Sequence, residues 1–205
     1  PRVAKGPAWW AVGCGVLGLV LNLLPIPIPG GMASLRLGGA PVYLSASLHG
    51  WRWGALTGSI AAVALWRQPS LAAGVIVAAA LAGEAVRRGF FVTPVLALFW
   101  STVGVVLAVL QHPGEWSSHA FGTLVSGLVA GVVTDAASVI PGVGSRGSQR
   151  VKGRGFASHF GPAFAVAGLS PILAVAAMAG SSTYSVAIGV AAIVAIGAFV
   201  GAEVI

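Results

Sequence analysis

Long runs of apolar residues dominate the sequence, and short polar or proline-rich stretches separate them. A helix that crosses a bilayer needs about 20 mostly apolar residues, and several runs meet or approach that length. They are Ala8–Leu24, Ser70–Val86, Phe91–Leu110, His119–Ile140, Phe160–Gly180 and Thr183–Ala202. A membrane β-barrel would alternate apolar and polar positions instead. The pattern therefore predicts an all-α, polytopic bundle of transmembrane helices.

The stretch Met32–Trp66 does not fit a single span. As one helix it would be about 50 Å long, whereas the hydrocarbon core of a bilayer is roughly 30 Å thick. We therefore predict two shorter spans that break at His49–Arg52, where Gly50 can end a helix. The first run, Ala8–Leu24, also resembles a secretory signal, but prolines rather than a small-residue cleavage site follow it, and we interpret it as a retained helix.

The predicted total is about eight spans, within a range of six to eight, in a single transmembrane domain over residues 1–205. A bundle of six occupies residues 8–140, and two further spans follow in residues 160–202. With this count, all basic residues except Arg36 and Arg67 fall on one side of the membrane. Cytoplasmic loops are enriched in Lys and Arg, so we expect a multi-pass cell-membrane protein with both termini in the cytoplasm.

Composition supports a membrane environment. Of the 205 residues, 57% are hydrophobic and only 7% are charged, whereas a soluble domain has roughly a quarter charged residues. The lipid bilayer is thus the expected main partner. A net charge of +7 would indicate nucleic acid in a soluble protein. Here the basic residues lie at the ends of apolar runs and in the loop 141–158, so no nucleic-acid partner is predicted.

Few residues offer catalytic or metal chemistry. The four histidines are dispersed, and Cys14 lies alone in an apolar run, so the sequence predicts no metal site and no cofactor. Asp135 is the only aspartate, and no Ser-His-Asp arrangement can be built around it. We therefore expect no catalytic residues and a protein that is not an enzyme.

Two acidic residues lie within predicted spans. Glu84 precedes Arg87 and Arg88 by about one turn, which favours a local ion pair. Asp135 lies deeper, and three roles fit it: pairing with a loop arginine, capping the segment Ala136–Ile140, or relaying protons or cations.

Small residues recur four positions apart on single helix faces. The pairs are Ala11 with Gly15, Gly54 with Gly58, Gly127 with Gly131 and Gly197 with Gly201. Small side chains let helix backbones approach closely. These faces are predicted to pack within the bundle or against a partner subunit.

The segment between the first two predicted spans, Pro25–Leu37, is the most distinctive. Its three prolines and its Gly-Gly pair exclude a helix, and Arg36 lies on the side that the charge rule leaves uncharged. Irregular backbone at membrane depth is tolerated where it lines a cavity. We interpret the segment as a lid over a binding pocket, with a proline-stiffened connector as the alternative. The centre of this lid is the run Pro29, Gly30, Gly31 and Met32.

The same region carries a resemblance to known families. Pro29–Gly39, followed by Ala40–Leu44, His49–Gly50 and Trp53–Gly58, is similar to the substrate-binding S components of energy-coupling-factor (ECF) vitamin transporters. The region Gly50–Arg88 also resembles the five-helix sensor regions of LytS-type histidine kinases. The resemblance covers about the first half of the chain.

An S component would bind a small vitamin-like molecule from outside the cell. The resemblance implies that Ala11 and Gly15 dock on a transmembrane coupling subunit and that partner ATPases supply the energy for uptake. The candidate polar contacts to substrate are Asn22, Arg36, Tyr43 and Ser45. In the second half of the chain, no cluster of polar and aromatic residues indicates a ligand. A membrane sensor, a structural or accessory subunit of a larger complex, and an intramembrane enzyme are the alternatives.

Overall fold

The computed structural model of the protein describes residues 7–27 and 34–139. These ranges are mainly helical and contain one small β-hairpin. The helices are α1 (Pro7–Leu23), α2 (Gly39–His49), α3 (Trp51–Ala62), α4 (Pro69–Arg88), α5 (Val92–Gln111) and α6 (Trp116–Val139), with a 3₁₀ turn at Val63–Leu65. The strands β1 (Ile26–Pro27) and β2 (Ser34–Leu35) pair antiparallel. The predicted spans at 160–180 and 183–202 and the basic loop 141–158 lie outside the described residues.

The lengths of the helices decide which of them can cross a bilayer. Within the described residues, three helices are long and apolar enough, at Pro69–Arg88, Val92–Gln111 and Trp116–Ala137, and α1 is a shorter apolar helix. The break predicted between α2 and α3 is confirmed. However, these two helices have only 11 and 12 residues, or roughly 16–18 Å at 1.5 Å per residue. Neither can cross alone, so the described part holds fewer full-length spans than the sequence predicted.

Two glycines with positive φ set the turns at one end of the bundle. Gly50, at φ 91° and ψ 174°, joins α2 to α3 in a conformation that other residues rarely adopt. This turn rests on Gly83 of α4, where an added Cβ would lie 2.6 Å from the Trp51 nitrogen. Gly89, at φ 83°, ends α4, and the Phe90 amide donates to Ala85 O at 2.8 Å in a Schellman-type cap. We call this end of the bundle the turn end.

The opposite end, which carries β1 and β2, is the hairpin end. Here α2 begins well below the start of α6. A Cβ added at Gly39 would lie 3.2 Å from the Ala130 Cβ, and the Thr134 hydroxyl approaches Ala40 O at 3.5 Å. Ala130 lies 14 positions after Trp116, the first residue of α6, or roughly 21 Å along the helix. The chain before α2, residues 34–38, therefore descends between α1 and α6, and we call it the descending segment.

Small residues allow the helices to approach closely. An added Cβ at Gly15 of α1 would lie 2.9 Å from Ile60 of α3, and one at Gly58 would lie 3.2 Å from Ala79 of α4. A Cβ at Gly54 would lie 2.5 Å from the Ala46 Cβ of α2 and 2.8 Å from the Ala79 carbonyl oxygen of α4. Ala11 is fully buried. The predicted packing within the bundle is thus observed. Because Gly15 faces α3 and Ala11 is buried, a coupling subunit would have to contact other residues of α1.

Asp135 caps a neighbouring helix. Its Oδ1 accepts from the Val92 amide at 2.9 Å, and its Oδ2 accepts from the Thr93 amide at 2.8 Å and from the Thr93 hydroxyl at 2.6 Å. An acidic side chain at a helix start satisfies free N–H groups and complements the helix dipole. The predicted cap of a separate segment at 136–140 is not found, because α6 continues to Val139.

The surface ion pair predicted for Glu84 is confirmed. Its Oε1 accepts from Arg88 Nε at 2.8 Å, and both of its oxygens pair with Arg87. Within one turn of α4, this carboxylate neutralises part of the arginine charge at the turn end.

The Asp135 cap leads to a stability prediction. Asp135→Asn replaces one carboxylate oxygen, an acceptor, by an NH₂ group, which is a donor. Whichever oxygen is replaced, at least one buried donor at the start of α5 loses its acceptor. We expect a loss of about 1–3 kcal/mol in the free energy of unfolding, measured by unfolding of the full-length protein in detergent. Glu84→Gln is the matched control and should cost less, because that carboxylate pairs with arginines that are largely exposed. An equal loss in both variants would contradict the capping role.

Candidate ligand-binding cavity

A cavity of about 130 Å³ lies at the hairpin end of the bundle. Its walls come from α1, β2, α2, α4, α5, α6 and the segments that follow β2 and the 3₁₀ turn. The lining residues are Asn22, Ser34, Arg36, Gly39, Tyr43, Leu65, Gln68, Leu71, Val75, Trp100, Ser118, His119, Gly122, Thr123, Ser126 and Gly127. The mixture of apolar walls with a few converging polar groups is typical of small-molecule sites. From the described part of the Pro25–Leu37 segment, Ser34 and Arg36 contribute to this lining.

Three of the four candidate polar contacts line this cavity: Asn22, Arg36 and Tyr43. The fourth, Ser45, does not. It is 1% exposed and shares a 3.0 Å hydrogen bond with the Thr57 hydroxyl, which joins α2 to α3. Its assignment as a substrate contact is therefore corrected to a structural one.

The proposed lid is described only at its flanks. Ile26 pairs with Leu35 and Pro27 pairs with Ser34, so a β-hairpin stands where the sequence predicted only irregular backbone. Ser34 also lines the cavity. The lid centre, Pro29 to Met32, lies outside the described residues.

Arg36 is held at the cavity by its own backbone. Its amide donates to Ser126 Oγ of α6 at 2.9 Å, which fixes the descending segment against that helix. The Arg36 side chain is half-buried. An arginine side chain nevertheless stays protonated in proteins. The cavity therefore contains a permanent and partly desolvated positive charge.

Asn22 fixes the end of α1 beside the same segment. Its Nδ2 donates to Ala61 O of α3 at 3.4 Å. Gly38 packs directly against the Asn22 side chain and the Gly18 carbonyl, so that any Cβ at position 38 would collide with both. This contact sets the distance between the descending segment and α1.

Trp100 of α5 forms the floor of the cavity, and three glycines surround its indole. Added Cβ atoms would lie 3.2 Å from the ring at Gly74, 3.1 Å at Gly104 and 2.7 Å from Nε1 at Gly127. The indole is 3% exposed. Tyr43 is close enough to interact with it, yet within the described residues the buried Nε1–H has no acceptor in hydrogen-bond geometry. A buried donor without a partner is unusual.

The start of α6 carries the polar wall. His119 stacks on His112 at 3.8 Å between ring centroids, and its Nε2 lies 3.8 Å from Glu115 Oε2. The hydroxyls of Thr123 and Ser126 donate to carbonyls of their own helix at 2.9 and 2.7 Å. A hydroxyl that has donated its hydrogen still has lone pairs. These two side chains can therefore accept hydrogen bonds from a molecule in the cavity.

The sequence showed no cluster of polar and aromatic residues in the second half of the chain that would identify a ligand, yet part of α6 lines the cavity. The residues of α6 that line the cavity are Ser118, His119, Gly122, Thr123, Ser126 and Gly127. Most are three or four positions apart, so they share one helix face. This periodic stripe of small and polar residues was the available sequence signal. Trp100 lay in an uninterrupted apolar run, where it looked like ordinary core.

Metal binding finds no support in the described ranges. Across residues 7–27 and 34–139, no group of three or more His, Cys, Asp or Glu side chains is arranged to hold an ion. Glu115 is the acidic side chain beside His119, which stacks on His112, and its carboxylate is 79% exposed. The described walls offer shape, charge and hydrogen-bonding groups to a molecule in the cavity.

Comparisons of the chain with protein-family models, with curated proteins and with solved structures give no match. The function of the cavity is therefore inferred from its own residues.

The glycine niche around Trp100 makes a sharp prediction. Gly127→Ala would force the indole out of its position, and overpacking of this kind costs about 1–3 kcal/mol in the free energy of unfolding. Gly13→Ala is the control, because nothing lies within 4 Å of a Cβ at that helical position, and it should be neutral or stabilising by up to about 1 kcal/mol. Unfolding of both variants in detergent measures the difference. An unaffected Gly127→Ala variant would refute the niche.

Proposed function

We propose that this chain is a membrane-embedded substrate-binding subunit that takes a small, vitamin-like molecule into the cavity at its hairpin end. The observation that carries the proposal is the cavity itself, with Asn22, Arg36 and Tyr43 in its lining. The resemblance of Pro29–Gly58 to S components of ECF transporters points to the same role. The descending segment, which lines the cavity through Ser34 and Arg36, serves as the base of a lid.

In this proposal the hairpin end faces the outside of the cell and the turn end faces the cytoplasm. Arg52, Arg87 and Arg88 belong to the turn end, as the preference for cytoplasmic arginines requires. The chain crosses the cell membrane about eight times with both termini inside. A coupling subunit and ATPases supply the energy, as the resemblance to S components of ECF transporters implies.

A membrane sensor of LytS type would use the same cavity for detection rather than uptake. The two roles share the binding step and differ in what the chain does next. Co-purification of an ATPase pair with the chain from native membranes supports uptake, whereas association with a signalling domain supports sensing.

Binding in the cavity is tested by filling it. We expect that, in a screen of small molecules of negative, neutral and positive charge, at least one compound raises the unfolding temperature of the purified full-length protein. Leu71→Trp places a larger side chain in the cavity wall and should abolish that shift, because the ligand and the indole compete for the same space. Leu81→Trp, on the exposed side of the same helix, should leave the shift unchanged.

Two results would contradict the proposal. One is the absence of any stabilising compound in all three charge classes. The other is a stabilising compound whose effect survives Leu71→Trp in full, which would place its site elsewhere on the protein.

A further inference from the structure

The charges around the cavity are unbalanced. Arg36 lines the cavity, but no acidic side chain does so among the described residues. Across 7–27 and 34–139, the ion pairs involve Glu84 and Glu115 and leave Arg36 without a carboxylate partner. Glu115, the acidic residue nearest to the mouth, pairs with His119 and is 79% exposed. A partly buried cation without a counter-ion is costly unless another group compensates it.

A second donor lies at the bottom of the same cavity. The Trp100 Nε1–H is buried with the Tyr43 side chain beside it but without an acceptor in full hydrogen-bond geometry, and both Trp100 and Gly127 line the cavity. Arg36 and His119 both line the cavity, so its wall contains two nitrogen-rich groups. The cavity lining therefore offers hydrogen-bond donors, and carboxylate acceptors are missing from its described walls.

The cavity lining also contains aromatic and aliphatic side chains. They are Tyr43 and Trp100, which are 2% and 3% exposed, and Leu71 and Val75 of α4. The cavity volume of about 130 Å³ is close to that of a protein cavity of roughly 150 Å³ that binds benzene. One aromatic ring with a short substituent fills such a space.

We infer that the molecule bound here is a small acid, in which one flat ring rests on Trp100 and a single carboxylate-like group pairs with Arg36. This inference rests on the proposed binding function and adds the chemical class of the ligand. The ring is recognised through stacking and apolar contact. The anionic group receives charge-assisted hydrogen bonds, which are about twice as strong as neutral ones. A polar atom on the ring can accept from the Trp100 Nε1–H.

The test uses matched probes on the full-length protein in detergent. Benzoate and benzamide have the same ring and nearly the same shape but differ in charge, and isothermal titration calorimetry compares their affinities. We expect benzoate to bind about tenfold or more tightly than benzamide, because only benzoate balances the charge of Arg36. Benzylamine, with the opposite charge, should not bind. Acetate, which lacks the ring, should bind far more weakly than benzoate.

Two arginine variants connect the charge preference to Arg36. Arg36→Gln should reduce benzoate affinity about tenfold or more and leave benzamide affinity nearly unchanged. Arg67→Gln is the control, because Arg67 is exposed, stacks on Trp66 at 5.1 Å and does not line the cavity. It should bind both probes like the wild type. Should Arg36→Gln fail to fold, the comparison of benzoate with benzamide on the wild-type protein decides the question alone.

Failure of this inference differs from failure of the proposed function. Equal binding of benzoate and benzamide, preferential binding of benzylamine, or full benzoate affinity in Arg36→Gln would overturn the acid-binding inference. The binding function would still stand if neutral or basic compounds from the screen stabilised the protein and lost that effect in Leu71→Trp. Both would fall if no compound of any charge bound.

Discussion

Backbone amides and carbonyls inside an apolar bundle must find partners within the protein, and this constraint shapes the hairpin end. α2 begins opposite Ala130, far below the start of α6, so non-helical backbone has to run through the interior above it. The bundle accommodates that backbone with a hydrogen bond from the Arg36 amide to Ser126 and with the close fit of Gly38 beside Asn22. The recessed start of α2 leaves room for the cavity, and the descending segment brings Arg36 to its edge.

Close helix contacts elsewhere hold this arrangement in place. The turn between α2 and α3 rests on Gly83, so the short helix pair is anchored from the turn end. Asp135 ties the start of α5 to α6 through three hydrogen bonds. Because α5 carries Trp100 and α6 carries the polar stripe, the cap fixes the floor of the cavity relative to its wall. Contacts at the turn end thus support the geometry of the cavity at the hairpin end.

The sequence predicted the helical class, the approximate bounds of the long helices and the break at Gly50, because hydrophobic run length and glycine are local signals. It also named Arg36, Asn22 and Tyr43 as candidate contacts because they lie in or near the irregular segment, and all three line the cavity. The roles of Ser45 and Asp135 could not be predicted, since each depends on a partner far along the chain or on another helix: Thr57 for Ser45, and Val92 and Thr93 for Asp135. Trp100 was missed because its niche is formed by glycines on three different helices.

The central claim is that a cavity reached from the outside lies beneath the hairpin, and thiol labelling of intact cells tests it most directly. In a Cys14→Ala background, Ser126→Cys places a thiol in the cavity wall, Gly114→Cys marks the exposed loop at the same end, and Ser45→Cys marks the closed interior. A small membrane-impermeant methanethiosulfonate should label positions 126 and 114 but not 45. Labelling of 114 without 126 would contradict the cavity, and labelling of 126 only in inverted vesicles would contradict the orientation.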